Sequence, residues 1–240
     1  MPGEENKTLL DDIRVLDGTA LKLIAALSMA IDHIGDIFFP GVTIFRIIGR
    51  IAMPVFAFFV AEGYAHTHDK KKYLLRLFIF ALISEIPFDL ALIGKIGLDH
   101  QNIMFTFALA VLGLMVFDRI TKPDEFTGKT DLSNIFVGVI FIILLGTLAL
   151  FLRIDYSFFA VVAVFIFYFL KDRKHWIRVT AGAGFLTVTR TMGYYIFTFL
   201  SLIPLLMYNG QRGKGFKWFF YVFYPGHLLI LYLIRMILKV

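Results

Sequence analysis

The chain has no cysteine among its 240 residues, and only 18% of them are charged. The absence of cysteine excludes disulfides, thiolate catalysis and iron–sulfur ligation. A soluble domain averages about 25% charged residues, whereas here 59% of the residues are hydrophobic and the charges cluster between apolar runs. The G-x-S-x-G motif of serine hydrolases, the P-loop and the dinucleotide-binding glycine pattern are also missing, so these enzyme classes are not supported.

The apolar runs reach about 20 residues, the length that a helix needs to cross a bilayer, and they lack the alternation of barrel strands. The sequence therefore predicts an all-α polytopic membrane protein, a bundle of about nine transmembrane helices with eight or ten as alternatives. Residues 179–208 are expected to form a short or broken, re-entrant pair, interrupted near Arg190–Gly193. The other predicted spans are about 20–39, 42–65, 74–93, 102–118, 134–152, 157–170 and 218–238.

Lysine and arginine are distributed unevenly among the loops between these spans. They concentrate in loops 66–76, 119–130, 171–178 and 209–217, and the loops between these carry only Lys95 and Arg153. The positive-inside rule places the basic loops and the N-terminus in the cytoplasm, with the protein in a bacterial cytoplasmic (inner) membrane. No cleavable signal peptide is evident. We expect a short cytoplasmic segment over 1–18 and one transmembrane domain over 19–240.

The net charge of +6 is assigned to cytoplasmic loops beside anionic membrane lipid, and nucleic-acid binding is not expected. No metal site is expected either. His66-Thr67-His68-Asp69 brings ligand types together but lacks the three or four converging ligands of a zinc site.

Ionisable residues inside the predicted spans are the feature that points to a function. A charge in hydrocarbon costs several kcal/mol, so such residues usually face a protein interior or a wet cavity. Their number, and their origin in several helices, favour an enclosed polar site. They are Lys22, Asp32, His33, Asp36, Arg50, Glu62, Glu85, Asp89, Arg190 and His227.

The first span carries a polar stripe. Lys22, Met29, His33 and Asp36 are separated by seven, four and three residues, and this spacing places them on one helix face. At about 1.5 Å per residue, His33 lies roughly 9 Å from the outer end of its span. Arg50, in the second span, lies at a comparable depth of roughly 12 Å, beside the small residue Gly49 and just before Pro54, which should kink the helix.

The outer half of the bundle should gather polar groups from four helices around this imidazole. Several of these residues have a structural alternative. Arg50 could form an ion pair with Glu85 or Asp36, and Lys22 could form another with Glu62. Gln101 and Asn102 could cap the fourth helix. Whether His227, near mid-membrane in the last span, belongs to the site stays open. The expected set is His33, Asp36, Arg50, Glu85, Gln101 and Asn102.

Five strings in order resemble the TraX family, which is named for a conjugative-pilus protein required for N-terminal acetylation of pilin. The match covers about residues 20–110 densely, and then the last span. The strings are LKLIAALSMAIDHIGD, GRIAMPVFAFFVAEGYAHT, RLFIFALISEIPFDL, QNIMFTFAL and YPGHLLILYLI. TraX-like proteins are similar in turn to integral-membrane acyltransferases, many of which carry a basic residue, ten intervening residues and a histidine. Lys22 and His33 have that spacing.

The resemblance implies transfer of an acyl group from acetyl-CoA, or another acyl-CoA, to an amine or hydroxyl of an extracytoplasmic protein or glycan. His33 would be the general base, because its ordinary pKa is about 6.5, with Asp32 or Asp36 orienting its ring. Further groups would stabilise the oxyanion or hold the acceptor; the candidates are Arg50, Glu85, Gln101, Asn102 and His227. The residues expected at the CoA end are Lys22, Glu62, Lys72 and Arg76.

Two other functions fit parts of the same pattern. Intramembrane acids and histidines also form proton relays, which favours a proton-coupled transporter, although no inverted repeat is visible. A non-catalytic assembly factor for pili or the envelope is the third possibility. The identity of the acceptor, the acyl group and the oligomeric state are left open by the sequence.

Overall fold

The computed structural model describes residues 13–124, 128, 130–189 and 193–239. Over these ranges the chain is helical, with two isolated β-bridges and no strand. Most of the predicted segment 1–18, and all of Arg190, fall outside the described residues. A π-helical turn, Asp89–Ile93, follows α4, and a 3₁₀ segment, Gly193–Ser201, precedes α9. The helices are α1 Gly18–Phe38, α2 Thr43–Gly49, α3 Ala52–His66, α4 Lys70–Phe88, α5 Ile103–Ile120, α6 Leu132–Phe151, α7 Ser157–Phe169, α8 His175–Thr189, α9 Leu202–Leu206 and α10 Lys217–Leu238.

Four helical segments in this part of the chain are long and apolar enough to cross a bilayer: α2 and α3 together, α5, α6 and α10. Two shorter apolar stretches, Ser157–Phe169 and Ile196–Leu206, accompany them. Each predicted span coincides with a helix or a helix pair to within about four residues, and 179–208 contains shorter elements, as predicted. The prediction of a helical membrane protein is confirmed, and the total of nine spans stays a prediction.

The second predicted span is broken between α2 and α3, at Arg50 and Ile51. Pro54 has no N–H to donate to the carbonyl of Arg50 four residues earlier, and its ring crowds that carbonyl. The break therefore lies one turn before the proline, close to the predicted kink. The break separates the short helix α2, which packs against α1, from the longer helix α3.

Two glycines allow α1 and α2 to pack closely. A Cβ on Gly35 would lie 2.2 Å from the Cβ of Phe45, and a Cβ on Gly49 would lie 2.2 Å from an oxygen of Asp32. The hydroxyl of Ser28 adds a hydrogen bond to the Ile48 carbonyl at 2.5 Å. Small residues at such positions are what bring membrane helices into backbone contact, and here the contact places α2 directly over Asp32.

A hydrogen-bonded cluster of polar side chains joins the helices at the end of the bundle that carries the basic loops. The carboxylate of Asp118 accepts hydrogen bonds from Tyr64 at 2.7 Å, Tyr168 at 3.0 Å and Lys70 at 3.3 Å, and so joins four helices. Hydrogen bonds to a charged acceptor are about twice as strong as neutral ones. We call this end of the molecule the basic end.

The loop 209–216 is held against the start of α1 at the basic end. Gly18 donates its N–H to the Gln211 carbonyl at 2.7 Å, and the Thr19 hydroxyl donates to the Lys214 carbonyl at 2.8 Å. Gly213 has φ +72, and a Cβ there would lie 2.5 Å from the Asp17 carboxyl carbon. Only glycine combines this backbone angle with that approach, so the loop has a defined position beside α1.

Candidate functional site

Two cavities lie inside the bundle. The larger, about 460 Å³, opens at the basic end, and we call it the basic-end cavity. The smaller, about 250 Å³, contains the outer part of the predicted stripe of α1, and we call it the histidine chamber. Its polar lining consists of Asp32, His33, Asp36, Arg46, Arg50, His100, Asp155, Tyr156 and Tyr224.

The two cavities share part of their walls. Five residues line both of them, and we call these residues the collar: Met29, Phe56, Ile103, Phe107 and Tyr224. Because the collar lines both cavities, the two cavities are adjacent and these five side chains lie between them. Methionine and phenylalanine side chains adjust by rotation about their side-chain bonds, so an apolar collar of this composition can admit a slender ligand.

The carboxylate of Asp32 is the centre of an ion-pair network in the histidine chamber. Nη2 of Arg50 lies 2.8 Å from Oδ1 of Asp32, and Nη1 of Arg46 lies 3.1 Å from Oδ2. Arg46 also reaches Asp36 at 3.1 Å. Arg50 donates a further hydrogen bond, to the Tyr156 hydroxyl at 3.1 Å. These contacts join two guanidiniums and two carboxylates.

Arg50 thus pairs with Asp32, a partner that the sequence analysis did not consider for it. The side chain of Arg50 is 5% exposed and that of Arg46 is 30% exposed. A ligand in the chamber can therefore reach the guanidinium of Arg46, whereas the buried guanidinium of Arg50 holds Asp32 in position. Arg46 was missed in the sequence, although its position four residues before Arg50 places both on one helix face.

His33 is hydrogen-bonded to a second histidine, and neither Asp32 nor Asp36 contacts its ring. Its Nδ1 lies 2.8 Å from Nε2 of His227, and the two rings are nearly parallel, at 6°. Nδ1 of His227 lies 2.7 Å from the carbonyl oxygen of Phe223. His227 comes from α10 and is 8% exposed. The expectation that a carboxylate orients His33 is wrong, because Asp32 is held by the two guanidiniums and Asp36 by Arg46.

This chain of contacts assigns the protons of both neutral rings. A carbonyl only accepts, so Nδ1 of His227 carries the proton and its Nε2 has a lone pair. Nδ1 of His33 must then donate to that lone pair, which leaves Nε2 of His33 unprotonated. Because His33 lines the histidine chamber and His227 does not, the nitrogen with the lone pair is the one available to the chamber. The arrangement resembles the way a second group fixes the tautomer of a metal-bound or catalytic histidine.

The basic-end cavity has an excess of positive charge. It is lined by Lys22, Arg76, Arg212 and Lys217, and among the residues that the structure describes Glu62 is the one carboxylate in its lining. Oε1 of Glu62 lies 2.5 Å from Nη1 of Arg178. The predicted pairing of Lys22 with Glu62 is therefore wrong, and Arg178 is a partner that the sequence did not reveal. The ammonium of Lys22 instead lies over the rings of Phe59 and Phe220, at 4.8 and 5.5 Å.

Some predicted site residues lie outside both cavities. Nδ2 of Asn102 contacts Oε2 of Glu85 at 2.5 Å, and its Oδ1 caps α5 by accepting the N–H of Met104 at 3.0 Å. The amide of Gln101 donates to the Leu98 carbonyl at 2.7 Å. The Asn102–Glu85 contact joins α4 to the start of α5, so the capping alternative describes Asn102, whereas the side chain of Gln101 bonds within the loop that precedes α5. Asp89 is similarly occupied, since it accepts the N–H of Gly97 at 2.8 Å.

Lys72 also lies outside the basic-end cavity, contrary to expectation. Its ammonium lies 3.3 Å from Asp69 on the exposed first turn of α4, and Asp69 caps that helix by accepting the N–H of Lys72 at 2.8 Å. This backbone hydrogen bond holds the pKa of Asp69 below its ordinary value. The lysine thus stabilises the start of α4 at the surface.

Comparison with known proteins agrees with the resemblance seen in the sequence. A family model described as TraX protein matches residues 17–235. The chain is 27% identical over 249 residues to the probable fimbrial assembly protein FimC, serogroup H1, of Dichelobacter nodosus, covering 91% of this chain and 96% of that protein. It is 44% identical over 82 residues to an uncharacterized protein of Rickettsia prowazekii (strain Madrid E), covering 34% of this chain and 28% of that protein. No solved structure matches.

Proposed function

The chain belongs to the TraX family, and we propose that this member is a membrane-embedded acyltransferase. It moves an acetyl group from cytoplasmic acetyl-CoA to an amine or hydroxyl on the extracytoplasmic side. The basic end faces the cytoplasm of a bacterial inner membrane in this proposal, as the positive-inside rule expects. Because the relative from Dichelobacter nodosus is named a probable fimbrial assembly protein, a pilus subunit or another envelope component is the proposed acceptor.

The observation that carries this proposal is the contact between Nδ1 of His33 and Nε2 of His227, in a chamber that also contains the Arg46 guanidinium. This contact leaves Nε2 of His33 as the unprotonated nitrogen. Acyl transfer needs a base to take the acceptor proton, and a neutral imidazole is suited to that at physiological pH. The His227–Phe223 chain supplies a base of fixed tautomer. A general base of this kind contributes about 10²–10⁴-fold to the rate.

The proposed step is a direct transfer. Nε2 of His33 removes a proton from the acceptor as its nitrogen or oxygen forms a bond to the thioester carbonyl carbon. The carbonyl oxygen becomes an oxyanion beside Arg46, whose guanidinium lies in the same chamber. Collapse breaks the carbon–sulfur bond, and the imidazolium returns the proton to the sulfur, so that acylated acceptor and free CoA thiol are formed. An acyl-cysteine intermediate is not needed, and the chain has no cysteine to form one.

The collar gives the donor a route to His33. In the proposal, acetyl-CoA occupies the basic-end cavity and its slender pantetheine arm passes between Met29 and Phe107 into the histidine chamber. The wide nucleotide end stays at the basic end. This division fits the linings, since the basic-end cavity is rich in cations and the chamber contains the base.

Labelled acetyl-CoA tests the function. Membranes containing the wild-type chain are expected to transfer label to envelope components, and His33→Ala is expected to reduce this transfer at least about 100-fold. His68→Ala is the matched control, because His68 lies exposed in a loop outside both cavities. Binding of CoA by His33→Ala would show that the variant is folded. Transfer by His33→Ala at the wild-type rate would refute the assignment of the base.

A proton-coupled carrier is the second candidate, favoured by the same two cavities on opposite sides of a collar and by the pair of hydrogen-bonded histidines. The functions are separable because a carrier has no need of CoA. Substrate uptake by reconstituted vesicles free of CoA, together with no acetyl transfer in its presence, would replace the acyltransferase with the carrier.

A further inference from the structure

Four cationic side chains surround the basic-end cavity without a carboxylate partner among the described residues. Lys22 comes from α1, Arg76 from α4, Arg212 from the loop 209–216 and Lys217 from the start of α10. Glu62 is committed to Arg178, and the carboxylate of Asp17 caps α1 by accepting the N–H groups of Thr19 and Ala20.

This set is incomplete without an anion. Nε of Arg76 is buried and has no hydrogen-bond partner, although its side chain lines the cavity. The guanidinium of Arg76 lies over the Tyr73 ring and is hydrogen-bonded to Tyr221. An arginine has five N–H donors, so Arg76 has donors left for a phosphate oxygen in the cavity. Guanidinium and ammonium groups together are the usual protein ligands of phosphate.

The position of Arg212 is set by the fold. The loop that carries it is fixed to α1 by the hydrogen bonds of Gly18 and Thr19 described above. Gly210 and Gly215, on either side, also line the cavity, so the backbone leaves room there for a bulky ligand. Arg212 and Lys217 are exposed at the mouth, and Lys22 and Arg76 are half-buried deeper in.

Aromatic rings accompany the cations. Phe216 lies in the same lining as Arg212 and is 55% exposed, and Tyr73 and Tyr221 line the cavity farther in. An exposed ring beside phosphate-binding cations is the arrangement on which a nucleobase stacks. A lipid phosphate shares the phosphate chemistry but supplies no base for such a ring.

We propose that Arg212 and Lys217, with Lys22 and Arg76 behind them, bind the phosphates of a nucleotide-bearing thioester, so that the donor is selected by its nucleotide end. This inference rests on the proposed function and deepens it, because it names the residues that distinguish a CoA thioester from an acyl group on any other pantetheine carrier.

The test compares ligands of decreasing length on matched variants of the full chain, in nanodiscs of neutral lipid. CoA and pantetheine are titrated calorimetrically against wild type, Arg212→Gln/Lys217→Gln and the control Arg173→Gln/Lys174→Gln. The control removes two exposed cations from the same end but outside the cavity. We expect the cavity variant to bind CoA about 100-fold more weakly, the loss of two charge-assisted contacts. Pantetheine affinity should be unchanged in all three proteins.

The outcomes separate the two proposals. Equal CoA affinity of the wild type and the cavity variant would overturn the phosphate site and leave the acyltransferase standing. No CoA binding by the wild type would remove the donor and, with it, both proposals. If the cavity variant kept wild-type CoA affinity but no longer bound soluble short-chain phosphatidylglycerol that the wild type binds, the cations would serve a lipid headgroup, and the inference would be wrong.

Discussion

Replacing His227 is the perturbation that most specifically addresses the chemistry of His33. His227→Phe keeps a flat ring in α10 but removes the acceptor 2.8 Å from Nδ1 of His33. The Nδ1 proton then has no partner, which costs about 1–3 kcal/mol, and the ring can recover part of this by turning or changing tautomer. Either change withdraws the Nε2 lone pair from the chamber. At 1.4 kcal/mol per tenfold, kcat should fall about 10–100-fold while the KM for acetyl-CoA stays nearly unchanged.

The assay is the release of CoA thiol in membranes supplied with acetyl-CoA, measured with a thiol reagent. The chain contributes no background, because it contains no cysteine. His227→Gln should recover most of the activity, since an amide oxygen placed near the former Nε2 can accept from His33. The double variant His33→Ala/His227→Phe should be no slower than His33→Ala alone, because His227 acts only through His33. Losses that multiply in the double variant, or a glutamine variant as slow as the phenylalanine variant, would refute the positioning role.

Three further predictions follow from the packing. Arg50→Met should lower the stability by about 3 kcal/mol, measured by thermal unfolding in detergent, because it leaves the Asp32 carboxylate with Arg46 alone. The double variant with Asp32→Asn should regain part of the loss, and equal stability of the wild type and Arg50→Met would contradict this prediction. Gly49→Ala should cost about 1–3 kcal/mol by pushing on Asp32, whereas Gly184→Ala, with nothing within 4 Å of its new Cβ, should not destabilise. Phe107→Ala should widen the collar and raise the kcat/KM ratio of butyryl-CoA to acetyl-CoA about 10-fold; an unchanged ratio would place acyl selection elsewhere.

Much of the fold could be predicted because apolar runs of bilayer length leave few alternatives to a helix. The kink before Pro54 followed from the missing N–H, and the close approach at Gly49 followed from its size. The exposed surface of α6, where Phe136 and Leu144 are 66% and 62% exposed, fits a lipid-facing helix in this reading. The number of membrane-spanning segments was less predictable. It depends on short elements such as Ile196–Leu206, whose length alone does not decide whether they cross the bilayer.

The site was predicted in part. The stripe of α1 correctly brought His33 and Asp36 to one chamber and Lys22 to the basic-end cavity, because helical spacing fixes which residues share a face. The depth of a residue in the membrane does not show which face of its helix it lies on. Glu85 was therefore assigned to the chamber, although its side chain contacts Asn102.

Partners that are distant in sequence were the hardest to predict. His33 and His227 are 194 residues apart, and only the packing of α10 against α1 joins them. Arg212 was counted only among the basic residues of loop 209–217, because nothing local shows that the loop 209–216 is attached to the start of α1. A search for basic residues flanked by several glycines beside a helix start would have been the available signal.

The central claim is that the donor enters at the basic end and extends its arm through the collar to His33. The absence of native cysteine permits a direct measurement: Met29→Cys in the collar, labelled with N-ethylmaleimide in membranes, with Leu98→Cys, 86% exposed, as the control. The account predicts that CoA protects the collar cysteine while adenosine 3′,5′-bisphosphate, which lacks the pantetheine arm, does not, and that neither ligand protects the control. Unaltered labelling of the collar cysteine in saturating CoA would contradict it.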